Sequence, residues 1–73
     1  MNNPTALDRA AEAAGSWGDL ARKLGVSHQA MYAWRKRGHV PPNRALEIEV
    51  LYGVPARELV NPSLLEIATL ITA

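Results

Sequence analysis

The side chains best suited to recognition chemistry stand together between positions 27 and 37: Ser27, His28, Gln29, Tyr32, Ala33, Arg35, Lys36 and Arg37. The Gln29 amide has the donor and acceptor needed to pair with the N6 and N7 of one adenine, and the His28 imidazole has a donor for guanine. Tyr32 adds a ring and a hydroxyl, Ala33 a methyl group. Arg35 and Lys36 bring charge for phosphate oxygens, while Ser27 combines helix capping with a phosphate contact. The plain alternative for the polar members is a solvated helix surface, and for Tyr32 a ring folded back over the edge of the core.

Catalytic chemistry finds no comparable grouping. His28 and His39 stand eleven residues apart, away from any metal-ligand spacing, and there is no cysteine to act as nucleophile. Gly15, Gly18 and Gly25 punctuate helices instead of building a phosphate loop. No catalytic residue, metal, cofactor or small-molecule ligand is expected, because a chain of 73 residues has little room for a pocket.

Charge distribution agrees with a phosphate-binding face. The formal net charge is only +1. Between Leu20 and Leu46, however, stand Arg22, Lys23, Arg35, Lys36, Arg37 and Arg44, with His28 and His39 and no acid. The carboxylates flank this stretch at Asp8, Glu12, Asp19, Glu47, Glu49, Glu58 and Glu66. Such segregation is the electrostatic footprint of a nucleic-acid-binding surface in a nearly neutral protein. The lack of cysteine fits a reducing compartment, no apolar run approaches the ~18 residues of a membrane span, and the start does not resemble a signal peptide. A bacterial cytoplasmic or nucleoid location, away from membranes, is expected.

The elements that must position these residues are short helices in a single domain spanning residues 1–73. Asn3-Pro4 offers a cap and a first-turn proline for a helix over about 4–14, with Leu7, Ala10, Ala11 and Ala14 on one face. Ser16 caps a second helix, with Asp19 at its positive end and Leu20, Ala21 and Leu24 as the apolar stripe. Gly25-Val26-Ser27 makes a three-residue turn into a third helix over 28–37, with Met31 and Trp34 facing inward. Val40-Pro41-Pro42 is an extended connector. A fourth helix follows over about 42–52, then a short fifth over 55–60. No segment shows the alternation of a strand. The second and third helices, joined by a turn containing glycine, form a helix-turn-helix over about 17–37. The expected fold is therefore all-α, a bundle of about five short helices.

The string LARKLGVSHQAMYAW, followed by RG-x-VPP and RALEIEVLYG, resembles the lambda-repressor-like helix-turn-helix superfamily. It is most similar there to phage Cro repressors and the YdaS-type Cro-like proteins, over about residues 16–60. The resemblance implies a double-stranded DNA-binding transcriptional regulator, a Cro-type phage or prophage repressor on an approximately palindromic operator. It implies that Ser27, His28, Gln29 and Tyr32 lie in or beside the major groove, with Arg35 and Lys36 near phosphates. Many members carry a phosphate-bonding glutamine at the start of the first motif helix, where this chain has Trp17. Two roles remain for that indole, a contact with DNA or packing beneath the first helix.

The apolar segment from Leu64 to Ile71 has few neighbours to bury against in so short a chain. Leu64, Ile67, Leu70 and Ile71 are candidates for a homodimer contact within residues 63–73, as helix or as a strand across the interface. The alternative is that the segment folds back over the first helix. The competing functions are a protein-interaction module and an antitoxin-like autoregulator on the same fold. An acid-free third helix with a polar tip favours DNA over interaction alone.

Overall fold

The computed structural model describes residues 4–64. Four α-helices occur there: α1 (Ala6–Ala14), α2 (Trp17–Leu24), α3 (His28–Arg37) and α4 (Pro42–Tyr52), followed by a 3-10 turn, Ala56–Glu58. No strand is present among the described residues. The all-α expectation holds, and α2, α3 and α4 begin and end where the sequence places them.

Local chemistry sets the boundaries. The Asp19 N–H donates to Ser16 Oγ at 3.0 Å, and the Ala30 N–H to Ser27 Oγ at 3.1 Å. Each bond satisfies one of the orphan donors that a helix start exposes. Between α2 and α3 the chain reverses at Gly25, whose φ of +69° is left-handed and disfavours any Cβ. There the Val26 N–H donates to Ala21 O at 3.0 Å.

The first helix departs from expectation. Its cap is Thr5, not Asn3, and Pro4 precedes the helix instead of opening it. Thr5 and Asp8 form a reciprocal capping box: the Asp8 N–H donates to Thr5 Oγ1 at 3.1 Å and the Thr5 N–H to Asp8 Oδ2 at 2.9 Å. Two donors satisfied together outweigh the single bond an asparagine supplies. Thr5→Ala is expected to cost about 1 kcal/mol, seen as a melting temperature lower by about 4–8 °C in a domain of this size. An unchanged melt would remove the box from the stability of α1.

The fifth helix is also shorter than predicted, a single 3-10 turn capped by Pro55. The Ala56 N–H there donates to Glu49 Oε1 at 2.8 Å, so a carboxylate from α4 holds the turn. The chain resumes helical conformation at residues 62–64.

One core joins these elements. Leu7, Ala10 and Ala11 of α1 meet Leu20, Ala21 and Leu24 of α2, Met31 and Trp34 of α3, and Ala45 and Ile48 of α4. Val40, Val54 and Leu59 close it. The connector is pinned by the Val40 N–H, which donates to Leu59 O at 2.8 Å. Arg44, half-buried, donates to Leu24 O at 2.9 Å and so ties α4 to the end of α2. The α2–α3 angle is thus set by packing on its inner side and by backbone bonds at its turn. Residues 65–73, including Ile67, Leu70 and Ile71, lie outside the described residues.

Candidate nucleic-acid interface

At about 100° per residue, α3 divides into two faces. Met31 and Trp34 are buried, with Ala30 packed beside them. The opposite arc runs, in angular order, Arg35, His28, Tyr32, Lys36, Gln29 and Ala33. Five of these are exposed and Ala33 is half-buried at the edge. Tyr32 stands out at 65% exposure, so it does not fold back over the core. Ser27 is exposed and caps the start of the helix. Its oxygen accepts from Ala30, which leaves the hydroxyl proton free for an outside acceptor. The six α3 candidates thus lie on one continuous face, with Ser27 capping the helix start.

The start of α2 adjoins this face. A Cβ built on Gly18 would stand 3.7 Å from His28 Cε1, which places the imidazole beside the first turn of α2. Ser16, Gly18, Arg22, Val26 and His28 share an open cleft there. Trp17 is half-buried and packed against the core. Its ring carries the Arg35 guanidinium, the Cζ lying 4.1 Å from the ring centroid. Of the two roles weighed for Trp17, packing against the core is the one the fold shows, and the ring also supports an exposed cation.

The electrostatics are narrower than the linear charge pattern implies. Arg22 pairs with Asp19, and Arg44 bonds Glu47 Oε1 at 2.9 Å. Both are i, i+3 pairs in which an acid from outside the acid-free segment neutralises a cation inside it. Arg35, Lys36 and Arg37 take part in no salt bridge among the described residues. Lys23 of α2 is likewise in none of these pairs, so the uncompensated charge gathers mainly at the C-terminal end of α3, where cations also suit the helix dipole. Sequence separation had concealed this, although the i, i+3 spacing of each pair was visible. Arg37 points away from the recognition arc, towards a cleft it shares with His39, Val40, Pro41 and Leu64.

No group of three or more His, Cys, Asp or Glu able to hold a metal exists among the described residues. None of the described helices is long and apolar enough to cross a membrane.

Outside the motif, α4 exposes Leu46, Val50 and Leu51, with Val50 at 85% exposure. With Glu47 they line an open apolar groove. The sequence placed Leu46 on this helix without distinguishing its face from that of Ile48, which is buried. Leu64, a proposed dimer residue, is exposed near Pro41 and Pro42 at the start of α4.

A glycine-turned pair of helices, with a buried inner angle and a polar, cationic outer face, defines a helix-turn-helix protein. The family model described as "Bacterial toxin YdaS" matches residues 7–59, well over half of the chain. The chain belongs to this family, a Cro-like helix-turn-helix family. No match was found among curated proteins or among solved structures. The matched span takes in α1 through the 3-10 turn, and so the whole described core.

Proposed function

We propose that the protein is a sequence-specific regulator of transcription that reads double-stranded DNA with α3, a Cro-type repressor acting by occupying its operator in the bacterial cytoplasm. The observation that carries this reading is the composition of the exposed α3 arc. Hydrogen-bonding, aromatic and cationic groups lie together there without an acid. Ser27, His28, Gln29, Tyr32 and Ala33 approach base edges, and Arg35 and Lys36 approach phosphates.

Specificity resides in the tip of α3. On the preferred duplex, Gln29→Ala is expected to cost about 1–3 kcal/mol and relax selection at one base-pair position. His28→Ala and Tyr32→Ala alter preference at neighbouring positions with the helical signal intact. Fluorescence anisotropy against the preferred duplex and single-base variants checks this. Parental discrimination in all three variants would overturn the groove assignment.

The operator-bound species is proposed to be a homodimer. One recognition helix reads too few base pairs to find a single site in a genome, and two-fold pairing doubles the information. The contact is assigned to the apolar face of α4 with Leu64, Ile67, Leu70 and Ile71. Exposed Leu46, Val50 and Leu51 support it, since an apolar strip on a small protein seeks a partner. Sedimentation with and without the selected duplex is expected to give two subunits per duplex. One subunit per intact site would overturn the pairing.

The family description favours a second reading, a toxin–antitoxin component acting through a protein partner or as an autoregulator. The two readings part if expression arrests growth. Gln29→Ala and Lys36→Ala relieve the arrest when the effect runs through DNA, and leave it unchanged when the target is a protein held elsewhere.

A further inference from the structure

Arg35 occupies the edge of the exposed α3 arc nearest α2. It differs from Arg22 and Arg44, which are neutralised by carboxylates on their own helices. Its neighbour is an aromatic face instead, with Cζ 4.1 Å from the Trp17 ring centroid, well inside cation–π range. The indole is half-buried and packed against the core.

This geometry divides the guanidinium's functions. A guanidinium stacked on a ring uses its flat face and leaves the N–H donors around its edge for other acceptors. Those donors match the oxygens of a phosphate in a bidentate fork. A carboxylate partner would instead consume the edge and cancel the charge. An unsupported arginine would give up side-chain freedom on binding, whereas a stacked one has already given it up in the free protein.

We propose that Trp17 is a positioning residue of the DNA interface, its indole holding the Arg35 guanidinium face-on so that the edge is presented to the phosphate backbone beside the groove. The inference rests on the DNA-binding reading above. It assigns the phosphate contact at this corner of the motif to a cation of α3 held by an aromatic residue of α2.

The test uses the full chain and its Trp17→Phe, Trp17→Leu, Arg35→Ala, Arg35→Lys and Trp17→Leu/Arg35→Ala variants. Each is titrated by anisotropy against a labelled duplex that the parent selects from a random pool, and each is checked for folding by circular dichroism. Phenylalanine keeps an aromatic face and is expected to bind within about twofold of the parent, whereas leucine weakens binding about three- to tenfold on a two-subunit site. In the Arg35→Ala background, Trp17→Leu is expected to have no further effect. Lysine carries the charge without a planar face and edge, so Arg35→Lys is expected to bind more weakly than the parent. The free protein supplies a separate readout by NMR. Ring current shifts the Arg35 Hδ protons upfield in the parent and the Phe variant, and the shift disappears in the Leu variant.

Parental affinity in Trp17→Leu, or an equal loss from it with and without Arg35, would overturn the proposal. Should Trp17→Leu fail to fold, Arg35→Lys decides: parental affinity there overturns it equally. A parent that selects no duplex at all strikes the DNA-binding reading itself. A parent that binds while the Trp17 variants are silent strikes only the role of Trp17.

Discussion

Trp34→Ala is expected to remove most of the stability of the fold. The indole is 5% exposed and belongs to the cluster that unites α1, α2, α3 and α4. Truncating a buried tryptophan costs about 3–5 kcal/mol, through lost transfer energy and the cavity left behind. At roughly 0.05–0.15 kcal/mol per residue, a domain of this length has only about 4–11 kcal/mol in total. The variant is therefore expected to melt at least ~15 °C below the parent and to populate unfolded chain at ambient temperature. Tyr32→Ala, two residues away on the exposed arc, is expected to stay within about 0.5 kcal/mol of the parent. Thermal melts followed by circular dichroism compare the two. Similar losses in both variants would contradict the division of α3 into an inner and an outer face.

The second large effect is on binding. Arg35 and Lys36 are the cations of the α3 recognition arc, and no carboxylate pairs with them among the described residues. Each phosphate neutralised on duplex DNA releases condensed counterions. With three to four phosphates contacted per subunit, a two-subunit complex is expected to show a log–log salt slope of about −5 to −7. Raising salt fourfold from a low concentration would then weaken binding by about 10³–10⁴. Arg35→Ala and Lys36→Ala each remove a contact in both subunits, flattening the slope by about two units per dimer while weakening all sequences alike. An affinity indifferent to salt would contradict the phosphate-binding role of this face.

Much of the fold was legible because its boundaries are set by neighbours in sequence. Ser16 and Ser27 cap through residues three positions on, and Gly25 turns the chain at one residue. Leu20, Leu24, Met31 and Trp34 announce their burial by helical spacing alone. The first cap was misplaced because two local signals compete there, Asn3-Pro4 and Thr5-x-x-Asp8, and the reciprocal bonds of the second prevail. The fifth helix was overestimated because its turn depends on a side chain seven residues back, Glu49.

The candidate site was legible in its residues and less so in its electrostatics. The α3 arc follows from periodicity, and its six members do share one face. The linear gap in acidic residues overstated the basic surface, since Asp19 and Glu47 reach into it from either side. The Trp17–Arg35 stack joins residues on different helices, and no spacing rule connects them. Only the crossing of α2 and α3 brings them together. Likewise, helical periodicity alone did not separate exposed Leu46, Val50 and Leu51 from buried Ile48 as an unpartnered strip.

Selection of duplexes from a random pool by the full chain, followed by sequencing, tests most directly whether α3 reads DNA. Enrichment of an approximately palindromic motif is expected, its half-sites separated by about one helical turn, roughly 34 Å, as two symmetry-related recognition helices require. In the same selection, Gln29→Ala is expected to lose preference at one position of each half-site and keep the rest. A pool unchanged from its input after repeated rounds at low salt would contradict sequence-specific recognition by this face.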